Sequence, residues 1–146
     1  MNRLTTWKAR FLGKSNDAAP HIRFGRDGEK VALRYLKRKG YKIIAKNAKV
    51  GRGEIDIIAL DGDVVVFVEV KSRHSSKDGH PADFVTPAKQ RQLTRLTLLY
   101  LSQHGWSEEP ARFDVVAVTW AEDGGKPLVE HFVDAFEATG LDGMYS

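Results

Sequence analysis

Two short segments, Gly53-Glu54-Ile55-Asp56-Ile57-Ile58-Ala59 and Val64-Val65-Val66-Phe67-Val68-Glu69-Val70-Lys71, carry carboxylates and a lysine inside stretches that otherwise read as β-strand. Residues 64–70 are apolar on both faces apart from Glu69, the pattern of a central, covered strand in which a lone charge is costly. Side chains alternate along a strand, so Glu54 and Asp56 share a face, as do Glu69 and Lys71. Between the segments lies Asp61-Gly62, a hairpin signal when apolar runs flank it. With Asp61 and Gly62 as a two-residue turn, Leu60 pairs with Asp63, Asp56 falls opposite Phe67 and Glu54 opposite Glu69. Glu54, Asp56, Glu69 and Lys71 then meet on one face. A three-residue loop would instead send Asp56 and Glu69 to opposite faces.

Carboxylates this close repel one another unless a cation or protons intervene. Oxygen donors in a chain without cysteine suit Mg²⁺ or Mn²⁺ rather than Zn²⁺. Such an ion polarises a phosphoryl oxygen and activates a water, while Lys71 positions or deprotonates that water or balances the charge growing on the phosphate. This is the pattern of phosphodiester hydrolysis. The bland alternative is an ordinary amphipathic hairpin that leaves Glu54, Asp56 and Glu69 solvated. Glu54 alone would serve equally well at an edge or behind the ligands.

The elements that must position these groups begin with a helix over residues 23–39, closed by Gly40 after the basic turn Lys37-Arg38-Lys39. At 3.6 residues per turn, Gly25, Gly28, Glu29, Ala32 and Leu36 form one narrow stripe, which puts Glu29 on the face to be buried. Each glycine costs the helix about 1 kcal/mol relative to alanine, which a close approach of backbone to sheet would explain. A strand over residues 41–45 follows, then the hairpin. Residues 72–85 are polar and turn-rich and read as a loop at the mouth of the site. Thr86-Pro87 opens a second helix, threonine as N-cap and proline in the first turn, running to about Ser102. Lysine is disfavoured at a helix start, so Lys89 suits a bound phosphate there as well as a plain surface position. Further strands are expected over residues 113–120 and 129–133, with Gly124-Gly125 as a turn. Asp114 stands beside Arg112, where an ion pair or hydrogen bond is as good a reading as a catalytic role.

Glu29, then Asp56, then Glu69-Val70-Lys71 resemble the E…D…ExK core of the PD-(D/E)xK nuclease superfamily, in the arrangement of archaeal Holliday junction resolvases. More narrowly, Gly25-Arg26-Asp27-Gly28-Glu29, Gly53 to Ala59, Val66 to Lys71 with Arg73, and Arg112 to Val116 resemble the bacterial YraN family of small endonuclease-like proteins. No proline precedes Asp56, where Ile55 stands. The resemblance implies a restriction-endonuclease-like α/β fold, a mixed β-sheet flanked by helices. It also implies a metal-dependent nuclease in which Asp56 and Glu69 ligate Mg²⁺ or Mn²⁺, Glu29 completes or supports the shell, Lys71 serves the attacking water and Gln90 orients. Resolvase-like dimerisation would add a second copy.

Length and composition fit this reading. The 146 residues, 42% hydrophobic and 29% charged, suffice for one globular domain, expected over residues 23–137 between a basic tail at 1–22 and a short tail at 138–146. No disulfide or thiolate site is possible. No apolar run reaches membrane-spanning length and no signal-peptide core opens the chain, so a cytoplasmic protein is the expectation. Net charge is +4, but its distribution says more: residues 1–106 balance at +11 and residues 107–146 at −7. Residues 34–52 hold eight bases and no acid. A basic stripe beside an acidic metal site suits a nucleic-acid substrate, DNA in the first place, contacted by Lys42, Lys46, Arg52, Arg73 and Lys89. Two rival readings are a nucleic-acid-binding module that kept the fold and lost hydrolysis, and a small-molecule phosphohydrolase. The second lacks a phosphate-cradling glycine loop and leaves the basic stripe unexplained.

Overall fold

The computed structural model describes residues 20–74 and 85–139. Helix α1, Pro20–Arg38, leads into β1, Lys42–Val50, β2, Gly53–Asp61, and β3, Val64–Arg73; α2, Pro87–Gln103, then precedes β4, Ala111–Thr119, and β5, Leu128–Phe136. The strands form one sheet in the order β1-β2-β3-β4-β5, parallel only between β3 and β4. A parallel pair needs a long crossover, and the segment containing α2 supplies it. The result is the expected α/β architecture, a five-stranded mixed sheet flanked by two helices. Most of the expected tail at 1–22, residues 140–146 of the other tail, and residues 75–84 of the expected loop, including His80, lie outside the described residues.

Each helix closes one face of the sheet. Ala32, Leu33 and Leu36 of α1 pack with Ile57, Ala59, Val66, Val68, Val116 and Val118, while Leu93, Leu96, Tyr100 and Leu101 of α2 pack with Ile55, Ile58, Val65, Phe67, Phe113 and Val115. This double cover explains why β3 is apolar on both faces. The helix ends follow from the chain's own signals. Gly40 (φ 93°) ends α1, its N–H donating to Lys37 O and that of Tyr41 to Leu36 O, which satisfies two of the last carbonyls. At the start of α2, Thr86 Oγ1 accepts the Lys89 N–H at 3.2 Å with Pro87 at the first position.

Gly28 has the close approach to the sheet that its stripe demands: a β-carbon built there would overlap Ser72 Oγ on β3. Gly25 does not, since nothing lies within 4 Å of the same construction. Gly28 is therefore a packing requirement, and Gly25 is not.

Two expectations about the hairpins need correction. The turn between β2 and β3 is Gly62-Asp63, with Asp61 paired to Val64. Gly62 takes φ 58° as the first of the two turn residues, the position for which glycine is best suited in such a turn. Asp61 stays in the strand, where Arg112 Nη1 pairs with it at 3.0 Å. The loop still has two residues, so facing is kept, but the register slides by two. Continuing the observed pairing Ile57↔Val68 by one residue sets Asp56 across from Glu69, not from Phe67. The strand expected at residues 41–45 is also longer, reaching Val50. The lysine-rich segment beyond Ala45 continues the outer strand, where charges discourage pairing with another chain.

Candidate active site

Strand β2 changes its facing at Asp56. Ile55 and Ile57, two residues apart and expected on one face, pack into opposite core layers, and the ladder to β3 ends at Ile57↔Val68. Instead of continuing it, the Val70 N–H donates to Asp56 Oδ2 at 2.8 Å. On the other side, Lys46↔Ile57 and Ala48↔Ile55 place Asn47 opposite Asp56, and Asn47 has a left-handed φ of 48°. Asparagine tolerates that region better than most residues. Asn47, Asp56 and Glu69 thus form a row across three neighbouring strands at the point where the sheet is irregular.

Glu29 approaches this row from α1. Its carboxyl hydrogen-bonds the Asn47 side chain, while Oε2 is buried without a hydrogen-bond partner among the described residues. Burial, and then the negative charges of Asp56 and Glu54, push the Glu29 carboxyl up to about 7 despite the opposing influence of Asn47 and Lys46. From β3, Glu69 is 8% exposed and hydrogen-bonded to Asp56. Burial first, and the charge of Asp56 next, push the Glu69 carboxyl up to about 8. Asp56 is also raised by burial, against the Val70 hydrogen bond and the positive charges of Lys89 and Lys71. Two carboxyl groups in contact hold a proton between them near neutral pH, as like charges at short range require.

Cations border the row. Lys89 Nζ stands 3.8 Å from Glu69 Oε1 at the start of α2, so the lysine that the helix dipole disfavours is matched by a buried carboxyl of the site. Half-buried Lys71 adds its charge to both Asp56 and Glu69. Half-buried Lys46 of β1 faces Glu29 electrostatically.

The structure therefore brings together Glu29, Asp56, Glu69, Lys71, Lys89 and Lys46. Three other expected site residues are engaged otherwise. Gln90 donates its amide to Val85 O at 3.0 Å, fastening the segment before α2. Arg73 is buried, its Nε donating to Thr119 Oγ1 at 2.7 Å and its Nη2 pairing with Glu130 at 3.3 Å, away from solvent phosphates. Glu54 is exposed, across from Lys49. Lys42 and Arg52 are exposed at the start of β1 and in the β1–β2 turn. Asn47 was not foreseen: in the sequence it is one polar residue in a basic run, and only the left-handed backbone at the irregularity gives it a role.

Asp114 is fully buried but belongs to a separate network. Arg112 Nε at 3.0 Å, His131 Nε2 at 2.7 Å and the Asp134 N–H at 3.0 Å all meet its carboxylate. Burial alone would raise its pKa, yet the hydrogen bonds from His131, Arg112 and Asp134 together hold it below the ordinary carboxylate value. Arg112 also reaches Tyr41 Oη at 2.7 Å, tying β4 to the end of α1 and to β5.

The donor chemistry of Glu29, Asp56 and Glu69 fits a hard divalent cation. All three offer oxygen, all three resist ionising without a compensating positive charge, and Glu29 Oε2 is buried with no hydrogen to accept. As they stand, no three His, Asp or Glu side chains among the described residues are gathered closely enough to hold an ion. A cation would replace the proton between Asp56 and Glu69.

Among the described residues no helix is long and apolar enough to cross a membrane. The profile of the uncharacterised protein family UPF0102 matches residues 28–118, a span holding Glu29, Asp56, Glu69, Lys71 and Lys89. A UPF0102 protein of Geotalea uraniireducens is 44% identical over 124 residues, covering 85% of this chain and 97% of the relative. One from Anaeromyxobacter dehalogenans is 40% identical over 133 residues, covering 91% and 98%. One from Symbiobacterium thermophilum reaches 51% identity over 102 residues, covering 70% and 86%. On these grounds the chain belongs to UPF0102, the YraN family of nuclease-like proteins.

Proposed function

We propose that this protein is a metal-dependent phosphodiesterase acting on nucleic acid, DNA in the first place. One observation carries the reading: Asp56 and Glu69 hydrogen-bond to each other inside the protein with Glu29 acting on Asp56 from α1, and each carboxyl is held above its ordinary pKa, chiefly by burial. A fold gains nothing in stability from crowding carboxylates in this way; a site that loads a cation does. Asp56 and Glu69 would hold Mg²⁺ or Mn²⁺ with Glu29 beside them, and the ion would supply charge stabilisation at the phosphate and an acidified water. The protein's own groups do the rest. Asp56 is fixed by the Val70 N–H, Lys71 places its ammonium where a proton leaves water or charge grows on phosphate, and Lys89 offers a second positive charge beside Glu69.

The test compares wild type with Lys71→Ala on linear, nicked, flapped and four-way DNAs in Mg²⁺ or Mn²⁺. Cleavage should fall on the order of 100-fold or more while DNA and metal binding stay within a few-fold, because a group used mainly in the transition state contributes little to ground-state binding. Cleavage indifferent to Lys71 would remove the proposal. The non-catalytic binding module draws on one observation, the mutual hydrogen bond between Asp56 and Glu69 that leaves the ligands ungathered. Tight binding of branched DNA with no cleavage in any divalent metal would decide for it.

A further inference from the structure

Among the described residues, Asn47 and Asp134 are the two other than glycine with a left-handed backbone, and Asn47 adopts it in the middle of an outer strand. The neighbours of Asn47 show what that conformation does to β1. Ala45 and Ala48, three residues apart, both pack toward the α2 layer, where strict alternation would set them on opposite faces. β2 makes the matching step at Asp56, between Ile55 and Ile57. The two strands therefore change facing together, with Asn47 and Asp56 as the pair between Lys46↔Ile57 and Ala48↔Ile55.

Glycine would take a φ of 48° more readily than asparagine does. What asparagine adds there is its side-chain amide, and that amide hydrogen-bonds the Glu29 carboxyl. Glu29 Oε2 has no hydrogen-bond partner among the described residues, so the bond falls on Oε1. Lys46, the preceding residue, also acts on Glu29, but through charge, which fixes no orientation. A neutral amide gives direction: it ties down one oxygen of a carboxyl and leaves the other to face a ligand, as hydrogen bonds behind metal-ligating carboxylates do. Backbone in a sparsely populated region persists where its surroundings require it, and here it aims the one side chain that holds Glu29. We propose that Asn47 is the positioning residue for Glu29, its amide holding Oε1 so that Oε2 is presented to a divalent cation at Asp56 and Glu69. This rests on the phosphodiesterase reading above and adds to it the group that orients the third carboxyl.

The experiment measures Mn²⁺ binding by calorimetry, and thermal melting without metal, for wild type, Asn47→Gly, Asn47→Ala, Glu29→Gln and the double variant Asn47→Gly/Glu29→Gln. Both single variants at Asn47 lose the amide, but only glycine suits the backbone. They should lose Mn²⁺ affinity to the same extent, about tenfold or more. Asn47→Ala should nevertheless melt at a lower temperature than Asn47→Gly, because alanine is strained at positive φ. With Glu29→Gln already in place, removing the Asn47 side chain should cost little further affinity, since the two residues act as one unit. Wild-type Mn²⁺ affinity in Asn47→Gly would overturn the proposal, leaving Asn47 a role in the backbone alone. Losses that add fully in the double variant would also overturn it, since Asn47 would then act independently of Glu29. If the variants behave as expected but wild type cuts no DNA in any divalent metal, the assignment of Asn47 stands and the phosphodiesterase reading falls. If wild type binds no Mn²⁺ at all, both fall.

Discussion

Glu69 sits on a central strand under α2 with its carboxyl against Asp56, and that burial has a thermodynamic signature. An acid whose pKa is raised on folding stabilises the native state below its ordinary value and loses that contribution as pH rises through the raised one. For Glu29 and Glu69 the window runs from 4.5 up to about 7 and about 8. The metal-free protein should therefore melt at progressively lower temperature across that range, and saturating Mn²⁺ should flatten the dependence. Asp56→Asn and Glu69→Gln, which cannot ionise, should raise the metal-free melting temperature at the upper end of the window while weakening Mn²⁺ binding strongly. A fall in melting temperature in both variants would show that these carboxylates are structural ion-pair partners. Asp114 has the opposite sign. Its lowered pKa contributes stability above 3.8 that is lost as pH falls through the still lower folded value. Asp114→Asn should cost on the order of 3 kcal/mol in a urea titration, because Arg112 and His131 lose their charged partner inside the fold. Mn²⁺ affinity should not change, since this network is distinct from the carboxylate row.

At the scale of elements, α1 is set against β3 by an absence of side chain at Gly28. Gly28→Ala would ordinarily favour a helix by about 1 kcal/mol, but here the added carbon overlaps Ser72 and must lever the helix away. A net loss of roughly 1 to 3 kcal/mol is expected, typical of overpacking, together with weaker Mn²⁺ binding, because Glu29 is the next residue. Gly25→Ala should be neutral or stabilising, and Ser72→Gly should rescue Gly28→Ala. The stripe that named both glycines could not tell them apart, since periodicity gives the face of a helix but not its distance from the sheet. The hairpin shows the same boundary. Loop length sets parity, so the shared facing of β2 and β3 beside the turn was legible from Asp-Gly between apolar runs, while the change of facing at Asp56 that brings it against Glu69 was not. The register was not, because either placement of the turn keeps two loop residues, and the choice depends on Arg112 holding Asp61 from a strand some 50 residues later. Thr86 and Pro87 were legible because a cap is local chemistry. Arg73 was misleading for the opposite reason: alternation put it on the face of Lys71, while Thr119 and Glu130, which claim its guanidinium, come from β4 and β5.

Across the whole molecule, the basic and acidic side chains of the described residues concentrate in different parts of the fold. β1 and α1 carry the lysines and arginines, while the acidic residues cluster around β4, β5 and their connections. Replacing Lys42, Lys46 and Arg52 together should weaken DNA binding and flatten its salt dependence, as fewer counterions are released. Affinity that falls with the slope unchanged would mean these residues act through something other than phosphate. The nine-residue strand β1 is also an outer strand of the sheet, with Lys42, Lys46 and Lys49 along it. An outer strand leaves a row of backbone donors and acceptors open to pairing with a second chain, and charged side chains are what keep such a row solitary. Lys42 and Lys46, proposed as phosphate contacts, would with Lys49 also keep the edge solitary. Exchanging Lys42, Lys46 and Lys49 for valine should make the protein self-associate in light scattering, with a growing cross-β signal. Exchange for glutamate should leave it dispersed although nucleic-acid binding is gone.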